Sequence, residues 1–219
     1  KALDQVEHLF AHLPSSVPPE DRPIREPRRK RQVRISATMP TRTPRILLAF
    51  PAPSVHQPEH HALRVLDAVL SEGRLSRLYR RLVEKEQVAS EVSTEYTETF
   101  DPYLFFIAAE LYKEVDLEKV ESMIFEELSQ LTRDPVSEIE LSRAKNQCLV
   151  QFFSDFETTL DQATQIGLLE TLDRPRYWDD FAQQIRTLKA EDLQRVAAHF
   201  CSPEQATVGT LCHGPREKI

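Results

Sequence analysis

Five prolines fall between residues 14 and 27, at Pro14, Pro18, Pro19, Pro23 and Pro27. Each lacks the amide hydrogen that a helix or an inner strand needs, and each biases the residue before it away from the helical region. No regular element can run through such a stretch, so it divides the chain into a short leading piece and a body that begins near Arg31. Ahead of it, Ala2, Leu3, Val6, Leu9, Phe10 and Leu13 recur at spacings of three and four, the apolar stripe of an amphipathic helix. The stripe is already running at Lys1, which reads as the tail of a preceding domain in a longer polypeptide, with targeting signals outside this sequence. The expected division is therefore 1–30, a tail helix plus a Pro/Arg-rich linker, and 31–219, one folded domain.

The body changes period several times. Val33, Ile35 and Ala37 alternate with polar residues, and Ile46 to Phe50 form a short apolar run before Pro51, which predicts two strands. A helix follows over 59–71 through Leu63, Leu66, Val69 and Leu70, stopped at Gly73. A second helix over 75–86 sets Leu75, Leu78, Tyr79 and Leu82 on one side. Val88 to Tyr96 and Tyr103 to Tyr112, split by Asp101-Pro102, predict a hairpin. Five helices then follow over 116–132 behind Asp116, 136–153, 157–172, 175–187 and 190–200, and Thr207 to Cys212 closes as a strand. Sheet segments alternating with helices in this order predict an α+β fold, a two-layer sandwich of a mainly antiparallel sheet packed against helices.

With 219 residues, 40% of them hydrophobic, the chain can bury a core without disulfide or metal staples. No apolar run reaches the roughly 20 residues of a spanning helix. A net charge of −7 argues against a nucleic-acid partner, because phosphate binding needs a basic face. The local exception is the run Arg22, Arg25, Arg28, Arg29, Lys30, Arg31 and Arg34, which reads as a solvated linker, with a patch for an anionic partner as the alternative. Three cysteines, Cys148, Cys201 and Cys212, make no disulfide framework. His199, Cys201, Cys212 and His213 match no common zinc spacing, and apolar packing of the cysteines is expected. Four glycines leave no phosphate loop. Asp155 with Glu157 and Asp179 with Asp180 are carboxylate pairs expected on a solvated surface, and Tyr177, Trp178 and Phe181 read as core or interface anchors.

The segment Ala62-Leu63-Arg64-Val65-Leu66, then Leu70-Ser71-Glu72-Gly73, Leu75-Ser76-Arg77-Leu78-Tyr79 and Leu82-Val83-Glu84-Lys85-Glu86-Gln87-Val88-Ala89 resembles the C-terminal domain of the pitrilysin, insulin-degrading enzyme and mitochondrial processing peptidase family. Phe10 to Pro14 is similar to the end of the preceding domain there, and Ser137 to Lys145 to the start of a long helix, so the resemblance covers nearly the whole chain. It implies the catalytically inactive half of an inverted-motif zinc peptidase. The zinc would be held by an N-terminal domain of the same parent chain, and no cofactor is implied for this half. The implied work is to wall the peptide chamber and to form a domain or subunit interface. Two-chain bacterial relatives make a homologous second subunit and a periplasmic location the matching expectations.

Active relatives present an Arg and, seven residues later, a Tyr to the substrate. The resemblance places Val83 and Ser90 at those positions. Val83 cannot make the charge-assisted hydrogen bonds of a guanidinium, and Ser90 is too short to stand in for a phenol.

The sequence also spells a literal inverted zinc motif, His56-Gln57-Pro58-Glu59-His60, with Glu138 and Glu140 downstream as third-ligand candidates. For it to work, His56 and His60 must leave one helical face together. Pro58 has no amide and disfavours helix at Gln57, so the segment reads as a loop ending in proline, with the helix starting at His61. Three functions from different classes follow: the silent peptidase half, a free-standing zinc peptidase through His56, Glu59, His60 and Glu138, and a non-enzymatic assembly subunit.

Overall fold

The computed structural model describes residues 1–14, 27, 29–174 and 176–214. Of the basic run, Arg22, Arg25 and Arg28 lie outside the described residues, as does the side chain of Trp178. Helix α1 (Ala2–Phe10) has no buried residue, and Leu3, Val6, Leu9 and Phe10 are all exposed.

The body is a five-stranded sheet with helices on one face. Strands β1 (Val33–Met39), β2 (Arg45–Ala52), β3 (Ala89–Tyr96), β4 (Tyr103–Leu111) and β5 (Thr207–His213) lie in the order β1-β5-β2-β4-β3. Only β1 and β5 run parallel among the described pairs. The last strand is thus inserted between the first two, through Ile35↔Gly209 on one side and Leu47↔Gly209 on the other.

Alternation decides which face is covered. Ile46, Leu48 and Phe50 on β2 and Phe105, Ile107 and Leu111 on β4 are buried under the helices. Their neighbours turn to the other face, where Ile35 is 60% and Leu47 42% exposed. No described helix covers that face with a buried apolar row, and it carries Ile35, Leu47 and, half-exposed, Phe106 and Leu211.

Helices α2 (Glu59–Ser71) and α7 (Ala190–Phe200) pack on the sheet, α3 (Leu117–Arg133) lies against α7, and α4 (Glu138–Ser154) and α6 (Tyr177–Thr187) lie against α2. Their starts carry the expected caps. Asp116 accepts the amide of Glu118 at 3.0 Å, and Ser137 that of Glu140 at 3.3 Å. Helix α5 (Thr159–Thr171) opens on a reciprocal box between Thr158 and Asp161.

Two expectations need correcting. The segment 75–86 is not a regular helix: it is a π-helix over Tyr79–Lys85, and Leu75 is 61% exposed rather than on the apolar side. Ser76 caps a separate turn by donating to the Gly73 carbonyl at 2.7 Å; Leu78 and Leu82 sit in the core, and the wider turn lets Val83, five residues after Leu78, pack beside them. Helix α2 runs over Glu59–Ser71 as its apolar spacing predicts, and the later start at His61 drawn from Pro58 is corrected, because Pro58 stands at the N-cap, where the missing amide costs nothing. No described helix is long and apolar enough to cross a membrane.

Candidate functional site

Three departures from regular backbone lie between Tyr79 and Glu91. They are the π-helix, the left-handed Gln87 (φ 51°), and a register shift in β3 between Ala89 and Glu91 that makes Ser90 the extra residue of a bulge. π-Turns and bulges re-aim side chains and recur beside functional sites, and a non-glycine left-handed residue persists only where its surroundings over-determine it. Val83 sits on the π-helix, half-buried against the core. Ser90 is exposed, its hydroxyl donating to the Glu110 carbonyl at 3.3 Å.

Side chains hold this rim in place. Arg77 forms a bidentate pair with Glu140, Nε to Oε1 at 2.7 Å and Nη2 to Oε2 at 2.9 Å. The hydrogen bond to Glu140 raises the Arg77 pKa; burial opposes ionisation of Glu140, yet the Arg77 bonds hold it below the ordinary carboxylate range. Arg81 donates to Glu126 at 3.1 Å, and the Val88 amide to the Leu82 carbonyl at 2.9 Å.

Two open clefts flank α4. One, of about 790 Å³, lies between the π-helix and the start of α4; the other, of about 770 Å³, lies between α2, β3 and α4. Ile139 and Arg143 line both. Thr94 and Asp67 line the second; Ser71 beside it accepts the Thr94 amide at 3.0 Å, and the Thr94 hydroxyl donates to Asp67. Burial pushes the Asp67 carboxyl up to about 6, with Thr94 and Arg64 opposing the shift. The Cys148 thiol donates to the Arg64 carbonyl at 3.6 Å, and burial pushes it up to about 12, so it stays a thiol and is no nucleophile. Sequence reasoning passed over Arg64, Asp67 and Ser71; their spacing of three and four on an otherwise apolar helix was the available signal.

The literal zinc motif is dispersed. His56 is exposed on a turn with its ring edge-on to Phe100 at 5.0 Å, while His60, 1% exposed, lies inside with its ring 3.7 Å from that of His61 and 5.5 Å from Tyr177. Neither ring nitrogen of His60 has a hydrogen-bond partner. Burial, then the neighbouring His61, drives its pKa down to about 2; burial and then Arg174 lower His61 to about 4, with Asp180 opposing. Glu59 opens α2, Glu138 is exposed at the start of α4, and Glu140 is engaged by Arg77. Among the described residues no three His, Cys, Asp or Glu side chains converge as a metal site, and this donor set does not fit zinc.

The remaining candidates are also separated in role. Cys201 is buried and pushed up to about 12 by that burial, Cys212 and His213 lie on β5, and His199 lies on α7 against Phe200. Asp155 caps α4 and accepts from Gln151 at 2.8 Å, Glu157 is exposed, and Asp179 and Asp180 fill the first turn of α6. Tyr177 and Phe181 are core residues, 4% and 1% exposed, with the Tyr177 hydroxyl donating to Glu98 at 2.7 Å.

Comparison with known proteins matches residues 1–148 to the family model described as the peptidase M16 inactive domain. The chain is 26% identical over 162 residues to zinc protease PqqE of Helicobacter pylori, covering 74% of this chain and 36% of that protein. It is 28% identical over 205 residues to the mitochondrial-processing peptidase subunit alpha of Neurospora crassa, covering 86% of this chain and 32% of that protein. The chain thus spans about a third of the length of these curated relatives. The crystal structure of a peptidase M16 inactive domain from Pseudomonas fluorescens superposes with a TM-score of 0.82 at 18% identity, over 100% of this chain and 52% of that one, a likeness of fold. With more than half of its residues matched by one family model and its sheet and helices arranged as in that family, the chain belongs to the peptidase M16 inactive domain family.

Proposed function

We propose that this domain is the non-catalytic half of a bipartite zinc metallopeptidase, walling part of its peptide chamber and docking a homologous zinc-binding domain or subunit. The observation that carries the reading is the irregular rim from Tyr79 to Glu91, in which the π-helix and the bulge present the Val83 and Ser90 positions while neither side chain can grip a substrate electrostatically. Zinc belongs to the neighbouring domain in this reading, where it would polarise the scissile carbonyl and activate water; the residues here supply shape and contacts. The bare sheet face with Ile35 and Leu47, together with the uncovered stripe of α1, is the apolar surface such a neighbour would bury. The same reading carries a bacterial periplasmic location.

Complementation tests it. The zinc-bearing domain of the parent protein, inactive on its own, is expected to bind this chain and gain peptide hydrolysis. A stable complex with no gain in hydrolysis would replace the reading with that of a non-enzymatic assembly subunit, and no complex at all would overturn both.

A further inference from the structure

Ile139 and Arg143 line both clefts, each as large as an ordinary ligand cleft, and α4 forms one whole wall of the second. Ile139, Arg143, Asn146, Gln147 and Val150 recur along it at spacings of three and four, a single stripe of the helix. That stripe has an unusual make-up. Its two ends are branched aliphatics left in solvent, Ile139 at 85% and Val150 at 66% exposure.

The middle of the stripe is polar and incompletely satisfied. Arg143 Nε and Nη2 and Gln147 Oε1 are buried without hydrogen-bond partners, although Gln147 Nε2 donates to the Glu72 carbonyl at 3.1 Å. Unmet donors and an unmet acceptor one helical turn apart suit a ligand that offers both, as a peptide backbone does, after a small rotation of either flexible side chain. Charge on the walls is mixed: Arg64 and Arg143 line the second cleft together with Asp67, Glu72 and Glu95. Such walls select neither a polyanion nor a polycation.

We infer that the second cleft is a docking groove for an extended, uncharged peptide segment of the substrate, held by its backbone at Arg143 and Gln147 and by aliphatic side chains at its two ends. The inference rests on the chamber-wall reading and names where on the wall a peptide lies. Ile139 and Val150 are about 16 Å apart along the helix axis at a rise of ~1.5 Å per residue. An extended strand advances ~3.3 Å per residue and returns to the same face every second residue, so the two aliphatic side chains belong at the first and fifth positions of the bound segment, ~13 Å apart along its backbone, with the side chains themselves spanning the remainder.

The test is a fluorescence-anisotropy titration of this chain with a fluorescein-labelled pentapeptide, Leu-Gln-Ser-Gln-Leu, against a control of the same composition with its leucines adjacent. Binding is expected to be saturable for the first and weaker by about tenfold for the control, the scale set by burying one aliphatic side chain. Ile139→Asp and Val150→Asp, both at solvent-exposed positions, are each expected to weaken it by a similar factor while leaving the urea midpoint unchanged. No binding of the pentapeptide, or equal affinity for both peptides, overturns the inference. Binding that survives both substitutions also overturns it but leaves the chamber-wall reading standing, since the peptide then lies elsewhere on the domain; failed complementation with intact groove binding overturns the chamber reading alone.

Discussion

The guanidinium of Arg77 and the carboxylate of Glu140, 63 residues apart in the chain, meet through two hydrogen bonds of 2.7 and 2.9 Å with both side chains less than one-fifth exposed. This contact ties the turn that leads into the π-helix to the first turn of α4, so the rim and the groove share one anchor. Planar, bidentate and half-buried, it is stronger than a surface pair.

Removing one partner should therefore cost more than removing both. Arg77→Ala or Glu140→Ala is expected to lower stability by about 2 kcal/mol, because the remaining charge loses its partner in a partly desolvated site. The double substitution Arg77→Met with Glu140→Leu is expected to recover most of that. Urea denaturation of the three variants checks the order, and hydrogen exchange across 79–85 should quicken in the single variants.

Acid should unfold the domain through its histidines. His60 and His61 are held neutral, with pKa values of about 2 and about 4 against 6.5 in the unfolded chain. The unfolded state takes up protons first as the pH drops below 6.5, so their contribution is complete above that pH and is lost on the way down to 4 and beyond. Asp67, raised to about 6, works the other way: it is protonated earlier in the folded state, so its burial penalty is relieved between pH 6 and 4. Two groups against one leave a net loss of roughly 3–4 kcal/mol between pH 6.5 and 4. Denaturation midpoints across that range measure it, and His60→Leu should flatten the slope.

Ser71 closes part of the sheet's edge by accepting the Thr94 amide at 3.0 Å. Ser71→Ala leaves that amide without its partner and is expected to cost about 1–2 kcal/mol, read as a drop in Tm. Ser71→Thr, which keeps a hydroxyl, should lose less.

The open sheet face should matter for association and not for folding. Ile35→Lys with Leu47→Lys changes side chains that are 60% and 42% exposed, so the urea midpoint of this chain is expected to stay within about 0.5 kcal/mol of the parent. Affinity for the zinc-bearing domain should fall by tenfold or more, measured by calorimetry.

Zinc should not stabilise this chain. Its Tm is expected to be the same with added zinc and with chelator, because binding to the folded state would have to raise it by mass action. A rise lost on His60→Ala would make 56–60 a working metal site.

Much of the architecture is written locally. The prolines from Pro14 to Pro27, the caps Asp116 and Ser137, and the apolar alternation on β2 and the β3–β4 hairpin act over a few residues, so helices, strands and the α+β class follow from spacing alone. The resemblance around Leu63 to Ala89 also pointed to the family, and it singled out Val83 and Ser90 without revealing the shape of their segment. What only the tertiary structure decided depends on partners distant in sequence. Thr207–His213 sits between β1 and β2, paired with strands more than 150 residues earlier, a placement that no local pattern in the sequence encodes. The π-helix brings Val83 round to the core side that Leu78 and Leu82 occupy while Arg77 holds Glu140, and the bulge at Ser90 arises from register against β4. His60 reads as a metal ligand in a five-residue window, and it becomes a core residue only when Tyr177 and His61 close over it.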